Sequence, residues 1–198
     1  MDKKEYKSKE MKQVAKKIEN LDNPDKRPDV PPKKLLEMLP VKRTDSILDL
    51  GAGTGYFTIP FAKAVEGFVH ALDIDAHMLD VISSKAEEGN ITNVKPIKGY
   101  IDDIPLSDQA IDFAFASLVL HEVKQLSHSL KEIKRVLKDD GYFVCIEIEK
   151  EDHPTHDHPR ISASLMEQEI MNAGLKITQT LKPTDTIYIM IAKKSSSK

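Results

Sequence analysis

Residues 47–57 read ILDLGAGTGYF. ILDL is a short apolar strand, and Gly51, Gly53 and Gly55 follow it at once. The run YFTIPFAKAVE, residues 56–66, then has a helical pattern, with Pro60 early enough that its missing amide costs little. A strand that turns directly into a helix needs glycine, both for its backbone angles and for close approach of a ligand to the main chain. The start of the following helix offers unpaired amides that suit an anion. One strand–loop–helix unit of this kind already implies an α/β domain that binds at the carboxyl ends of its strands.

Moving outward, FVHALD is a second strand that ends on Asp73, 22 residues after Gly51. In doubly wound folds an acid at that place accepts hydrogen bonds from ribose hydroxyls. Loop, helix and acid together imply an adenosine-containing ligand. Its kind follows from the spacing. A dinucleotide fingerprint is G-x-G-x-x-G, and its last glycine would fall on Tyr56, a poor neighbour for a pyrophosphate. No G-K-[ST] follows, which excludes a phosphate-binding P-loop. Asp49, two residues before the first glycine, would repel a pyrophosphate and attract an ammonium.

The remaining chain alternates in the same way. Helix AHMLDVISSKAEE (76–88), strand VKPIK (94–98), strand AIDFAFASL (110–118), a helix from Val123 to Lys138 and strand GYFVCIEIE (141–149) follow in order. Ser164 with Glu167 marks a capping box for a further helix ending before Gly174, and LKITQTL and IYIMIAKK form a closing hairpin. The expected fold is therefore α/β: a doubly wound, mostly parallel seven-stranded sheet with helices on both faces and a C-terminal antiparallel hairpin. Ahead of it, 3–20 reads as a polar helix, and Pro24, Pro28, Pro31 and Pro32 make a stiff connector before a short helix, Lys33 to Leu39. We divide the chain into a helical cap with prolyl connector (1–40), a Rossmann-like domain (41–194) and a tail (195–198).

Composition fits this reading. The 198 residues are 40% hydrophobic and 31% charged, enough for one sizeable core and unlike a disordered chain. The longest apolar stretch, 110–121, is too short for a membrane span and carries Asp112. MDKKEYKSKEMK has no apolar signal core, and Cys145 alone allows neither an intrachain disulfide nor a multi-cysteine metal cage; a cytoplasmic, reducing compartment is expected. Residues 1–43 hold 13 basic against 8 acidic side chains, and the remainder 16 against 24. The basic residues are interspersed with acids and lack interleaved aromatics, so a solvated helix face is expected rather than a nucleic-acid partner.

The stretches LDLGAGTGYF, ALDIDAHML, GYIDDIPLSDQAIDFAFASLVLHEV and LKEIKRVLKDDGYFVCIEI, in that order, resemble the class I S-adenosylmethionine-dependent methyltransferases. The resemblance covers roughly residues 24–180 and is greatest to small-molecule enzymes of the type that includes quinone-biosynthesis C-methyltransferases. It implies S-adenosyl-L-methionine as cofactor. Gly51, Ala52 and Gly53 would line its methionine portion, with Gly55 and Tyr56 completing the loop and Asp49 facing the amino group. Asp73 would hold the ribose hydroxyls, Ile74 would pack on the adenine, Ile101 and Asp102 would border its other side, and Ser117 would lie beneath the methionine. The family often has Asp after the glycine of the adenine loop. Here Tyr100 follows Gly99, so Asp102 or Tyr100 stands in for it.

Methyl transfer from a sulfonium needs proximity, alignment and exclusion of water, with a base only where the nucleophile must lose a proton. His121, in SLVLHEV after the fourth strand, is the candidate base. His153, His156 and His158 form a cluster that could line the acceptor pocket or bind a divalent metal; lining is the expectation, and no metal is expected. No [ND]-P-P-[YF] signature is present, so the expected acceptor is a small organic molecule. A non-catalytic cofactor-binding protein is the alternative, and a nicotinamide-dependent reductase a weaker one.

Overall fold

The computed structural model describes residues 3–23, 27, 29–150 and 159–195, the side chains of residues 3–11 and 13 excepted. In chain order the elements are α1 (Lys3–Asp22), α2 (Pro32–Met38), β1 (Ile47–Leu50), α3 (Thr58–Ala64), β2 (Val69–Asp73), α4 (Ala76–Glu88) and β3 (Val94–Lys98). Then come β4 (Ile111–Ser117), one 3-10 turn (Leu120–Glu122), α5 (Leu126–Val136), β5 (Leu137–Ile148), α6 (Ala163–Asn172), β6 (Leu175–Leu181) and β7 (Ile187–Lys194).

The strands form one seven-stranded sheet in the order β3-β2-β1-β4-β5-β7-β6. All pairs are parallel except those of β7, which lies antiparallel between β5 and β6. Strands buried on both faces read as continuous apolar runs, and their alternation divides the core in two. Ile47, Phe113, Phe115, Val144, Ile146 and Ile189 pack with Leu35 of α2 and Phe61 of α3. Leu48, Ala114, Phe143, Cys145 and Met190 pack on the opposite side, with Leu130 of α5 and Met166 of α6. Leu79 and Ile82 of α4 cover Ala71 of β2. No helix among the described residues is long and apolar enough to cross a membrane.

Several boundaries depart from the sequence reading. The helix expected from Val123 to Lys138 spans only Leu126–Val136, with a separate 3-10 turn before it. Its end is set from a distance: the buried ammonium of Lys194 donates to the carbonyls of Lys134 and Leu137 at 3.0 and 2.5 Å. Leu137 already pairs with Ile111 of β4, so β5 starts where the helix stops. The cap of α6 is Ser162, whose hydroxyl accepts from the Leu165 amide at 3.3 Å, while Ser164 lies inside the helix. Glu149, at the end of β5, accepts from the Ala163 amide at 3.0 Å and so begins the helix there. Finally, Tyr56 and Phe57 belong to the glycine turn, and α3 begins at Thr58.

Candidate active site

The chain leaves β1 in one direction along the sheet and β4 in the other, so a crevice opens at their carboxyl ends. A cavity of about 670 Å³ occupies it, within the range of cofactor sites. Asp49, Gly51, Ala52, Gly53, Tyr56, Asp73, Ile74, Ile101, Asp102 and Ser117 all lie on its wall. Gly55 and His121 do not.

The loop is built for backbone approach. Gly51 has φ +66° and a Cβ there would run into Val119, so neither angle nor space admits another residue. The amide of Ala52 donates to Leu72 O at 3.0 Å and that of Gly53 to Asp73 Oδ2 at 2.8 Å. Asp73 Oδ1 accepts from the Asp75 amide at 2.8 Å, which holds the carboxylate in one plane with a lone pair on each oxygen to spare. Gly55 serves packing instead: its φ is +82°, and a Cβ would stand 2.9 Å from Ile82 of α4. At the far end, Ile74 and Tyr100 are 61% and 63% exposed, two large apolar surfaces beside the cavity that the described residues leave mostly uncovered.

At the other end stands Asp49, placed on the α3 face by its alternation with Ile47 and Leu48 in β1. It is 3% exposed, and its Oδ2 accepts from Thr58 Oγ1 at 2.6 Å. Burial pushes its carboxyl up to about 7, and the nearby Asp73 charge adds to this, while the Thr58 bond and the Arg27 charge pull the other way. Leu118, on the cavity wall after β4, has φ +54°, a left-handed conformation costing roughly 1–2 kcal/mol for a side chain of this kind.

The N-terminal segment supplies the remaining wall. Lys17 and Leu21 of α1 lie over the loop, with Lys17 Nζ 3.0 Å from Asp75 Oδ2. Asp22 accepts from Thr54 Oγ1 at 2.6 Å and from Lys85 Nζ at 2.7 Å. Ser117 Oγ donates at 2.8 Å to Asp29, whose carboxylate holds Arg27 in a forked pair. Arg27 lines the cavity and Asp29 braces it from behind, and sequence reading missed both; their only signal was an opposite-charge pair inside the prolyl connector.

His121 sits on the 3-10 turn, its side chain 10% exposed, behind the cavity wall formed by Glu122 and Val123. Its Nδ1 lies 2.7 Å from Glu147 Oε2, and Glu147 Oε1 accepts from the Leu120 amide at 2.8 Å. The ring is thus held between two carboxylates, with Nε2 3.9 Å from Glu122 Oε1. Glu147 was also missed, though an acid inside FVCIEI had to find donors once its strand was buried. His153, His156 and His158 lie outside the described residues, and among the described residues no group of three His, Cys, Asp or Glu could hold a metal.

These residues fit an amino-acid sulfonium nucleoside: a carboxylate for an ammonium, a loop that a Cβ would block, a second carboxylate beside the loop, and uncovered apolar surfaces at the far end. A family model described as a methyltransferase domain matches residues 42–192. A demethylmenaquinone methyltransferase of Geobacillus sp. (strain WCH70) is 35% identical over 114 residues, covering 57% of this chain and 49% of its own. The chain thus spans about half the length of the curated relatives it matches. The crystal structure of an S-adenosylmethionine-dependent methyltransferase from Aquifex aeolicus superimposes with a TM-score of 0.81 at 27% identity, over 90% of this chain and 97% of that one. The [4+2]-cyclase SpnF shares the fold at 18% identity, with a TM-score of 0.77 over 84% of this chain and 80% of its own. Because the family model takes in most of the chain, the protein belongs to the class I S-adenosylmethionine-dependent methyltransferase family, whose cofactor is S-adenosyl-L-methionine.

Proposed function

We propose that the protein moves a methyl group to a small-molecule acceptor by in-line displacement at the cavity beside Gly51–Gly53. When bound, S-adenosylmethionine supplies a methyl group already activated on a sulfonium. The protein's work is then placement and exclusion of water. Asp49 holds the amino group, Asp73 the ribose hydroxyls, and Ile74 and Ile101 enclose the adenine with Asp102 at its edge. Ser117, fixed by Asp29, lies under the methionine portion. The observation that carries this reading is the cavity itself, with the glycine loop and a buried acid at one end and exposed Ile74 and Tyr100 at the other. The relatives named for demethylmenaquinone make a quinone ring the first acceptor class to test.

Where the acceptor must lose a proton, His121 Nε2 receives it, held in place by Glu147 and reached past Glu122. His121→Ala should then lower turnover by about 100-fold while cofactor affinity stays near wild type; undiminished turnover with the true acceptor dismisses the role. Calorimetry with S-adenosylhomocysteine and with NADH tests the cofactor, the first binding and the second not. Transfer of labelled methyl to metabolite extracts tests the reaction, and a binder that labels nothing would be a non-catalytic protein.

A further inference from the structure

Glu122 stands on the cavity wall, while its neighbour His121, the candidate base, does not. The Glu122 side chain is 70% exposed and that of His121 10%. An acceptor seated in the cavity therefore meets the carboxylate before the imidazole. The turn that carries both is braced from behind. The Leu118 amide donates to Ile146 O at 2.9 Å, and the fully buried Glu147 holds both the Leu120 amide and the His121 ring. The Glu122 amide donates to Val119 O at 3.0 Å, and the Val119 side chain lies against Gly51. The backbone of Glu122 is thus fixed beside the glycine loop, and its carboxylate stands between the cavity and His121 Nε2, 3.9 Å from the ring.

Glu147, His121 and Glu122 form a line from the buried end of β5 to the cavity. A neutral imidazole set between two carboxylates can take up a proton with both of its N–H groups then facing a negative oxygen. We infer that Glu122 is the catalytic residue that takes the acceptor's proton and hands it to His121, an inference that rests on the methyl-transfer reading above. The acceptor class narrows accordingly. It is a nucleophile that enters with a proton and gives it up, such as a phenol or a hydroquinone, rather than a thioether or tertiary amine, which has none to give. As the nucleophilic atom bonds to the methyl carbon, the carbon–sulfur bond breaks and its electron pair stays on sulfur. The acceptor's proton passes to a Glu122 oxygen, then to His121 Nε2, and returns through exposed Glu122 to solvent once product has left. One proton is released for each methyl group moved.

The test measures single-turnover transfer of labelled methyl to a reduced naphthoquinone with an open ring position and to a metabolite extract. Glu122→Gln keeps the size and loses the base, and should slow transfer by about 100-fold, with Glu122→Asp losing far less. Because the two residues act in series, Glu122→Gln combined with His121→Ala should be no slower than the slower single variant. Added formate should restore transfer to Glu122→Ala, which leaves room for a small carboxylate. Calorimetry should show S-adenosylhomocysteine binding to Glu122→Gln as it does to wild type. An undiminished rate in Glu122→Gln overturns the inference, and so do losses that multiply in the double variant. A cofactor affinity that falls in step with the rate overturns it too, since Glu122 would then be only part of the cofactor wall. Wild type that labels neither probe sinks the methyl-transfer reading, and this inference with it. Melting curves check that the variants fold; should Glu122→Gln fail to, Glu122→Asp and the formate rescue of Glu122→Ala still decide.

Discussion

Asp49 carries an unusual proton for a carboxyl group, and the consequences can be read by pH. Its folded value of about 7 lies above the ordinary 3.8, so the native state binds a proton that the unfolded chain has lost. Stability from this group is full below about pH 4 and declines as pH rises through about 7. Binding has the opposite sign, because an ammonium favours the ionised carboxylate. Cofactor affinity should rise toward pH 7 and fall again above roughly 8, where an α-amino group loses its charge. At pH 6.5 binding should release a proton, seen as a buffer-dependent heat in calorimetry. Asp49→Asn should remove the acidic limb; a flat profile in wild type would show that Asp49 does not meet the amine.

Segments hold one another through side chains that close open backbone ends. Asn93, just before β3, donates its amide to the carbonyls of Ala62, Val65 and Gly67, each at 3.0 Å, and so ties the end of α3 to the start of β2. Asn93→Ala leaves those carbonyls short of a donor and should cost about 1–3 kcal/mol, while Asn93→Asp, which faces them with a carboxylate, should cost more. Thermal denaturation ranks the pair, and the reverse order would refute the account. Cofactor affinity should be unchanged, because no residue of this knot lines the cavity. Lys194 does for α5 what Asn93 does for α3, and in both cases the partner is remote in sequence.

Taken entire, the molecule is a sheet with a gap where its winding reverses, roofed by α1 and the connector through Lys17–Asp75, Asp22–Lys85 and Arg27–Asp29–Ser117. Exposed Ile74 and Tyr100 make that gap an incomplete surface, and a ligand that completes it should stabilise the whole. S-adenosylhomocysteine at a hundred times its dissociation constant should add about 2.7 kcal/mol, which is roughly 5–10 °C in melting temperature for a domain of this size. NADH should give no shift. An equal shift from both, or none from either, would count against the ligand assigned to the loop.

What could be read from the order of residues was whatever depends on neighbours in the chain. The strand–glycine–helix turn, the acid ending β2 and the alternation of strands and helices are local patterns, because backbone angles and periodic burial act over a few residues. An adenosine-containing ligand followed from them, with a pyrophosphate disfavoured beside bulky Tyr56, and the cofactor itself came from the family resemblance. Features set by contact between distant segments were silent. The end of α5 depends on Lys194, the placement of His121 on Glu147, and the wall of the cavity on Arg27 and Asp29 meeting Ser117 across the fold. A buried charge must find its partner, but its own stretch of chain does not say where that partner lies; packing decides.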